Sequence, residues 1–349
     1  MAKDYVKIYE AMDSKSLKND RERIKALQEA GLYPKAFDMP LTLQFELTYH
    51  CNVFCRHCYN NSGIDNKKAD PMTPEKWIEF AKYLVANGGI FECILSGGEP
   101  LTLGDKLFDI MDILHDDGTV FLLITNGYLL NKEKVERLSK YRYHWLQVSI
   151  DGSEPEYHNW FRQKEKSWEH AVDGAFMVSA AGIPLTIAHC VTPGNLDKID
   201  DMCELAYSLG ASHLMIGDVT LSGRTNQNRD LLLNREQKNL LLQKTEENVA
   251  KYNGKMQIQH SSSAKNSVIR YLTMPNQGCI VRPNGDMRLD CMAPFVIGNM
   301  LKDDFCKIWK EKKDICWNNP KVQEYIEYFN DNNNINDLMT NYVDEDIHI

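Results

Sequence analysis

No apolar run in this sequence is long enough to cross a bilayer. The start, Met1 to Lys35, is charged and lacks the apolar centre of a secretory signal. Both absences predict a cytoplasmic protein with no membrane partner. Positive charge is not in excess either: 40 Lys and Arg stand against 49 Asp and Glu, a net charge of −9. An acidic chain gains nothing from the field of a phosphate backbone, so nucleic acid is not an expected partner. A disulfide framework is excluded by the same compartment. Ten cysteines in a cytoplasmic chain argue for metal or redox use of some, and for buried thiols among the rest.

What is present is a large apolar content, 43% of 349 residues, enough for one barrel-sized domain and a smaller one. Residues 1–40 form a charged, helix-prone extension (Leu17 to Ala30), broken by Pro34 and Pro40. It packs on the domain or docks a partner. From residue 41 strand and helix alternate. Leu41 to Leu47 alternates apolar and polar residues, and Thr73-Pro74-Glu75 supplies an N-cap, a first-turn proline and an acid. Trp77, Phe80, Ala81, Leu84 and Val85 then recur at helical spacing. Strands at 91–95, 120–125, 145–150, 184–191 and 213–218 are separated by amphipathic helices, the last spanning 236–249. About six such units predict an α/β fold with a parallel sheet, a partial (β/α)6 TIM-like barrel over 41–254. Residues 255–349 form a small α+β region. Gln257 to His260, Val281 to Pro283 and Met287 to Leu289 read as short antiparallel strands, with Asn284-Gly285 as a turn. A helix over Asp303 to Lys313 follows, and the Asn-rich stretch Asn330 to Asn336 reads as loop or frayed end.

The chemistry concentrates after the first strand, in Cys51-Asn52-Val53-Phe54-Cys55-Arg56-His57-Cys58-Tyr59. Three cysteines on one short loop can converge. A structural zinc site wants four closed ligands, and His57, next to Cys58, is poorly placed as the fourth. An iron–sulfur cube with three thiolates keeps one iron open, which suits a catalytic cluster.

With this motif the sequence resembles the radical S-adenosylmethionine (SAM) enzymes. The resemblance implies a [4Fe-4S] cluster on Cys51, Cys55 and Cys58 whose open iron binds SAM. Reduction by an external donor of flavodoxin or ferredoxin type then cleaves SAM to a 5′-deoxyadenosyl radical, which abstracts a substrate hydrogen. Ser96-Gly97-Gly98-Glu99-Pro100 looks like the family's glycine–glycine–glutamate element at the SAM amino group. By the same resemblance Asn126, Ser149 and Asp151, at strand ends, contact SAM or substrate, and Arg162 pairs with the SAM carboxylate.

The stretch from Gly278 to Cys291, with Ile297-Gly298-Asn299, resembles the start of a SPASM or twitch extension, and Gly223-Arg224 also looks like that subgroup. The dense cysteine set of a full SPASM domain is missing. Two readings stay open. Cys279 and Cys291, with one or both of Cys306 and Cys316, supply ligands to one auxiliary cluster, or the hairpin holds no metal and Cys279 or Cys291 donates a hydrogen atom to a substrate radical. Cys93, Cys190 and Cys203 read as core thiols. The subgroup implies modification of a ribosomally made peptide by crosslinking, epimerisation or oxidation. The alternative is a dehydrogenase or epimerase of a sugar, aminoglycoside or other small metabolite. A non-enzymatic iron–sulfur protein would have no use for the Gly-Gly-Glu element.

Overall fold

The computed structural model describes residues 4–32, 37–63, 69–261, 277–291, 294–313, 315–331 and 346–349. Pro34 and most of the Asn-rich stretch, from 332 on, lie outside them.

Among the described residues one sheet of eleven strands organises the fold, in the order β11-β10-β9-β8-β1-β2-β3-β4-β5-β6-β7. Strands β1 (Thr42–Glu46), β2 (Glu92–Ser96), β3 (Val120–Thr125), β4 (Tyr143–Ser149), β5 (Leu185–Val191) and β6 (His213–Asp218) are all parallel neighbours. Helices α2 (Pro74–Ala86), α3 (Asp105–Asp116), α4 (Lys132–Leu138), α5 (Pro155–Arg162), α6 (Ser167–Ala180) and α7 (Ile199–Ser208) lie between them. The sheet is open rather than closed, as a partial barrel requires. The sequence signals at α2 work as read: the Thr73 side chain accepts the Lys76 N–H, and Trp77, Phe80, Ala81 and Leu84 are buried.

Strand alternation divides two faces. Leu43 and Phe45 of β1 are fully buried in the core, where the Phe45 and Trp77 rings stack at 4.9 Å. Gln44 and Glu46 point to the other, concave face. That face is part-open: Gln147, Ser149, Cys190 and Met215 on it are half-buried.

Two strands differ from the sequence reading. β7 (Gln257–His260) runs parallel to β6, not antiparallel, with helix α8 (Arg235–Lys251) as its crossover. A four-residue strand carries no directional signal; the long helix before it does, because parallel neighbours need such a connection. β8 starts earlier than expected, at Gly278–Val281, and pairs parallel with β1, so the C-terminal region prolongs the same sheet. The Asn284-Gly285 turn then joins β8 to β9 (Asp286–Arg288) as an antiparallel hairpin. β10 (Phe295–Asn299) and β11 (Ile347–His348) complete the edge. The N-terminal helix α1 (Tyr5–Glu29) is longer than read and docks on α8: Val6 N–H donates to Asn239 Oδ1 at 3.0 Å, and Arg235 pairs with Asp4 at 3.1 Å.

Candidate active site

Beyond Glu46 the chain crosses the C-terminal rim of the sheet as the cysteine loop. Asp70 fixes its entry, accepting the Thr48 hydroxyl and, at 3.1 Å, the Tyr49 N–H. Cys51, Val53 and Cys55 form a small buried cluster with Cys58 against it. Burial pushes the Cys51 and Cys55 thiols up; Glu99 adds to this at Cys51, while Arg162 opposes it at Cys55. These are thiols that stay protonated until a cation replaces the protons. Among the described residues no three His, Cys, Asp or Glu side chains converge on a single-ion site. Three neighbouring thiols on one loop suit an iron–sulfur cube, which spreads its thiolates over separate irons.

Two elements clamp the loop from outside. The C-terminal end of α5 has carbonyls without helical partners, and the loop uses them: Phe54 N–H donates to Arg162 O at 3.2 Å and Arg56 N–H to Phe161 O at 2.9 Å. His57 stacks on Phe161, centroids 4.3 Å apart, and Arg56 covers Trp160 at 4.3 Å. The second clamp follows β6. Arg224 N–H donates to Cys58 O at 3.0 Å, and Arg224 Nε to Cys55 O at 2.7 Å. Gly223 has φ +52°, and a Cβ there would strike the Cys58 and Tyr59 carbonyls.

The end of β2 meets the loop edge-on. A Cβ on Gly97 would lie 2.8 Å from Thr48 O, and one on Gly98 would overlap the His50 carbonyl. The glycines therefore allow β2 to touch the loop backbone, with Glu99 N–H donating to His50 O at 3.0 Å. The buried Glu99 carboxylate accepts the Leu101 N–H (3.2 Å), the Thr125 hydroxyl (2.7 Å) and the Asn126 N–H (2.8 Å). Burial raises its pKa, and those donors pull against the rise. Asn126 reaches both the Cys51 sulfur, at 3.7 Å, and Asn52 Oδ1, at 2.9 Å.

Asp151, fully buried after β4, is the hub of the opposite wall. It accepts Arg162 Nε at 2.6 Å and Cys190 N–H at 2.9 Å, and its own carbonyl takes Asn195 Nδ2 at 2.8 Å. Burial works to raise its pKa, but Arg162 and the surrounding histidines hold it at about 2. His158 Nδ1 accepts the Asp151 N–H at 3.1 Å, so its proton sits on Nε2 and is donated to Ser167. Burial, then Arg162, lowers the His158 pKa to about 3. Arg162 also reaches the Cys55 sulfur at 3.6 Å. Ser149 stands half-buried at the end of β4. Cys190 lies outside the main core: half-buried, it packs against the small Phe161, Val219 and Leu231 cluster, whereas Cys93 and Cys203 are fully buried in the main core. The one-residue register of β5 decides this, and composition does not reveal it.

The C-terminal cysteines are not gathered together. Cys279 lies in the core next to Cys316. Cys306 packs on the Met39 sulfur at 3.6 Å. Cys291 stands apart, near Asp290, Glu46 and Tyr59. That side carries a buried polar network no local pattern announces: Arg282 donates to Glu46 (3.2 Å), Asn60 (3.1 Å) and Asp346 (2.6 Å).

Residues 45–206, which hold the cysteine loop, the ends of β2, β3 and β4, and α5, match the Radical SAM superfamily. The chain carries a radical SAM domain. Among curated relatives, an AdoMet-dependent heme synthase from Methanosarcina barkeri is 34% identical over 55% of this chain and 54% of its own length. A PqqA peptide cyclase from Rhizobium meliloti is 28% identical over 78% of this chain and 74% of its own length. The match thus spans between half and three quarters of these relatives. The chain also shares a fold with Streptococcus suis SuiB, solved with its precursor peptide SuiA. The TM-score is 0.62 at 13% identity, covering 89% of this chain and 71% of that one. Among the described residues no helix is long and apolar enough to cross a membrane.

Proposed function

We propose that this radical SAM protein holds a [4Fe-4S] cluster on Cys51, Cys55 and Cys58 and uses it, with SAM, to modify a peptide by crosslinking, epimerisation or oxidation. The observation that carries the reading is the cluster of neighbouring thiols at the C-terminal rim, clamped from two sides. When bound, cluster and SAM supply reductive cleavage to a 5′-deoxyadenosyl radical that can take a hydrogen atom from substrate.

The chain's own part is to bind and orient. Gly97 and Gly98 set the distance between β2 and the loop. Glu99 already accepts three donors, and a carboxylate has about four acceptor sites, which leaves room for the SAM ammonium. Asp151 steers Arg162, whose remaining N–H groups serve the SAM carboxylate. Asn126 and Ser149 complete the set from the ends of β3 and β4. Cys291 is the C-terminal cysteine on the side of the loop, so the role of hydrogen donor falls to it rather than to Cys279. Electrons come from a flavodoxin- or ferredoxin-type carrier.

The peptide substrate is supported by the likeness to the PqqA peptide cyclase. A small metabolite is the second reading, and the likeness to the heme synthase favours it.

Anaerobically reconstituted and reduced protein is expected to convert SAM to 5′-deoxyadenosine and methionine. The triple Cys51, Cys55, Cys58→Ala variant is expected to bind no iron and make neither product. Continued formation of 5′-deoxyadenosine by that variant would overturn the assignment. Iron retained without turnover would instead give Cys279, Cys291, Cys306 and Cys316 a second cluster. Candidate peptides and small metabolites, assayed side by side, separate the two substrate readings.

A further inference from the structure

Of the arginines that border the cysteine loop, Arg56, Arg162 and Arg282 each have an acid. Arg56 pairs with Asp230 at 3.5 Å and Arg162 with Asp151 at 2.6 Å. Arg224 has none among the described residues, although it is only 7% exposed. Its Nε is spent on the Cys55 carbonyl, its guanidinium lies 3.9 Å over the Phe54 ring, and its Nη2 is buried with no hydrogen-bond partner. Among the described residues its guanidinium meets one carbonyl and one ring, which compensates a largely buried cation poorly. Its backbone N–H, on the Cys58 carbonyl, fixes it beside the loop.

We propose that Arg224 is the built-in counter-charge of the metal group held by the cysteine loop, and that it raises the potential at which that group accepts an electron. The inference rests on the cluster assignment above. Three thiolates give a four-iron cube a net negative charge, which grows when an electron arrives from the external one-electron carrier; no bond forms or breaks in that step. A fixed positive charge in a water-poor site favours the more negative, reduced form. Arg224 touches the loop backbone, so it is a positioning residue rather than a catalytic one.

The test is an EPR-monitored redox titration of the reconstituted full chain, its Arg224→Gln variant and its Arg224→Lys variant, with iron and sulfide counted for each. At a fixed potential Arg224→Gln is expected to show a reduced-to-oxidised ratio roughly tenfold lower, a shift of about 59 mV for one electron. Arg224→Lys, which keeps the charge and loses the planar fork, is expected to stay close to the parent. If Gln fails to assemble the cluster while Lys assembles it at the parent potential, the charge requirement is upheld. Equal potentials in Gln and parent overturn the proposal. So do equal losses in Gln and Lys, or failure of both to assemble, because Arg224 would then be only a clamp. A parent chain that assembles no iron rejects the cluster assignment itself, a result distinct from all of these.

Discussion

At the scale of single residues, the site is built from buried polar groups whose partners are assigned one donor at a time. His158 is an example. It is held neutral, with its pKa lowered to about 3, against a usual value near 6.5. The unfolded chain therefore binds a proton between those values that the folded chain refuses. Stability present above about pH 6.5 is lost as pH falls, by up to about 1.4 kcal/mol per pH unit for this one group. Urea unfolding of the parent and a His158→Gln variant between pH 7 and pH 5 checks this. The parent is expected to lose more stability over that interval than the variant, and parallel profiles would count against it. Glu99 gives a second prediction at this scale. Glu99→Gln should weaken SAM binding by about 1.5–3 kcal/mol, the usual worth of a hydrogen bond to a charged group. Calorimetric affinities equal to the parent would remove Glu99 from the SAM site.

Between elements, close approach decides. The cysteine loop is sandwiched between the Gly97-Gly98 end of β2 and the Gly223-Arg224 turn, and both contacts are made backbone to backbone. Gly98→Ala and Gly223→Ala each add one methyl group, yet each is expected to push the loop outward and cut iron bound per chain several-fold. Iron counts after reconstitution, with circular dichroism as a check on folding, test this. How far this site was legible in the sequence depends on the range of each interaction. The Thr73 cap of α2, the Asn284-Gly285 turn and the cysteine spacing are local, and residues a few positions apart declare them. Asp70 at the loop entry, the α5 carbonyls that receive Phe54 and Arg56, and Asn195 beneath Asp151 are not. Each acts through a tertiary contact, and polar residues in turns are too common to single these out. The same holds for β7 and Cys190, where direction and face follow from register across the sheet rather than from side-chain type.

For the whole molecule, the sheet does not stop where the radical SAM domain match stops. β8 pairs with β1, and Arg282 just beyond it is 4% exposed and donates to Glu46, itself 1% exposed. Removing one partner of such a buried pair costs about 3–5 kcal/mol. A chain ending at residue 261 would lose Arg282 and bare the edge of β1. It is expected to aggregate or to lack a cooperative urea transition, as size-exclusion chromatography and near-UV circular dichroism would show. A monomeric, cooperatively folding 1–261 fragment would instead make the C-terminal region a separable unit.

The tie between Arg282 and Asp346 also has a consequence in time. Asp346 joins a network that reaches Glu46 and Asn60, on either side of the three cysteines. During synthesis the cysteine loop leaves the ribosome early and Asp346 late, at about 5–20 residues per second. For that interval the loop lacks one of its walls, and its thiols are open to oxygen and to stray metal ions. On the proposed cluster assignment, iron loading is expected to follow the arrival of Asp346, and the nascent thiols are expected to be more open to oxidation before that contact forms.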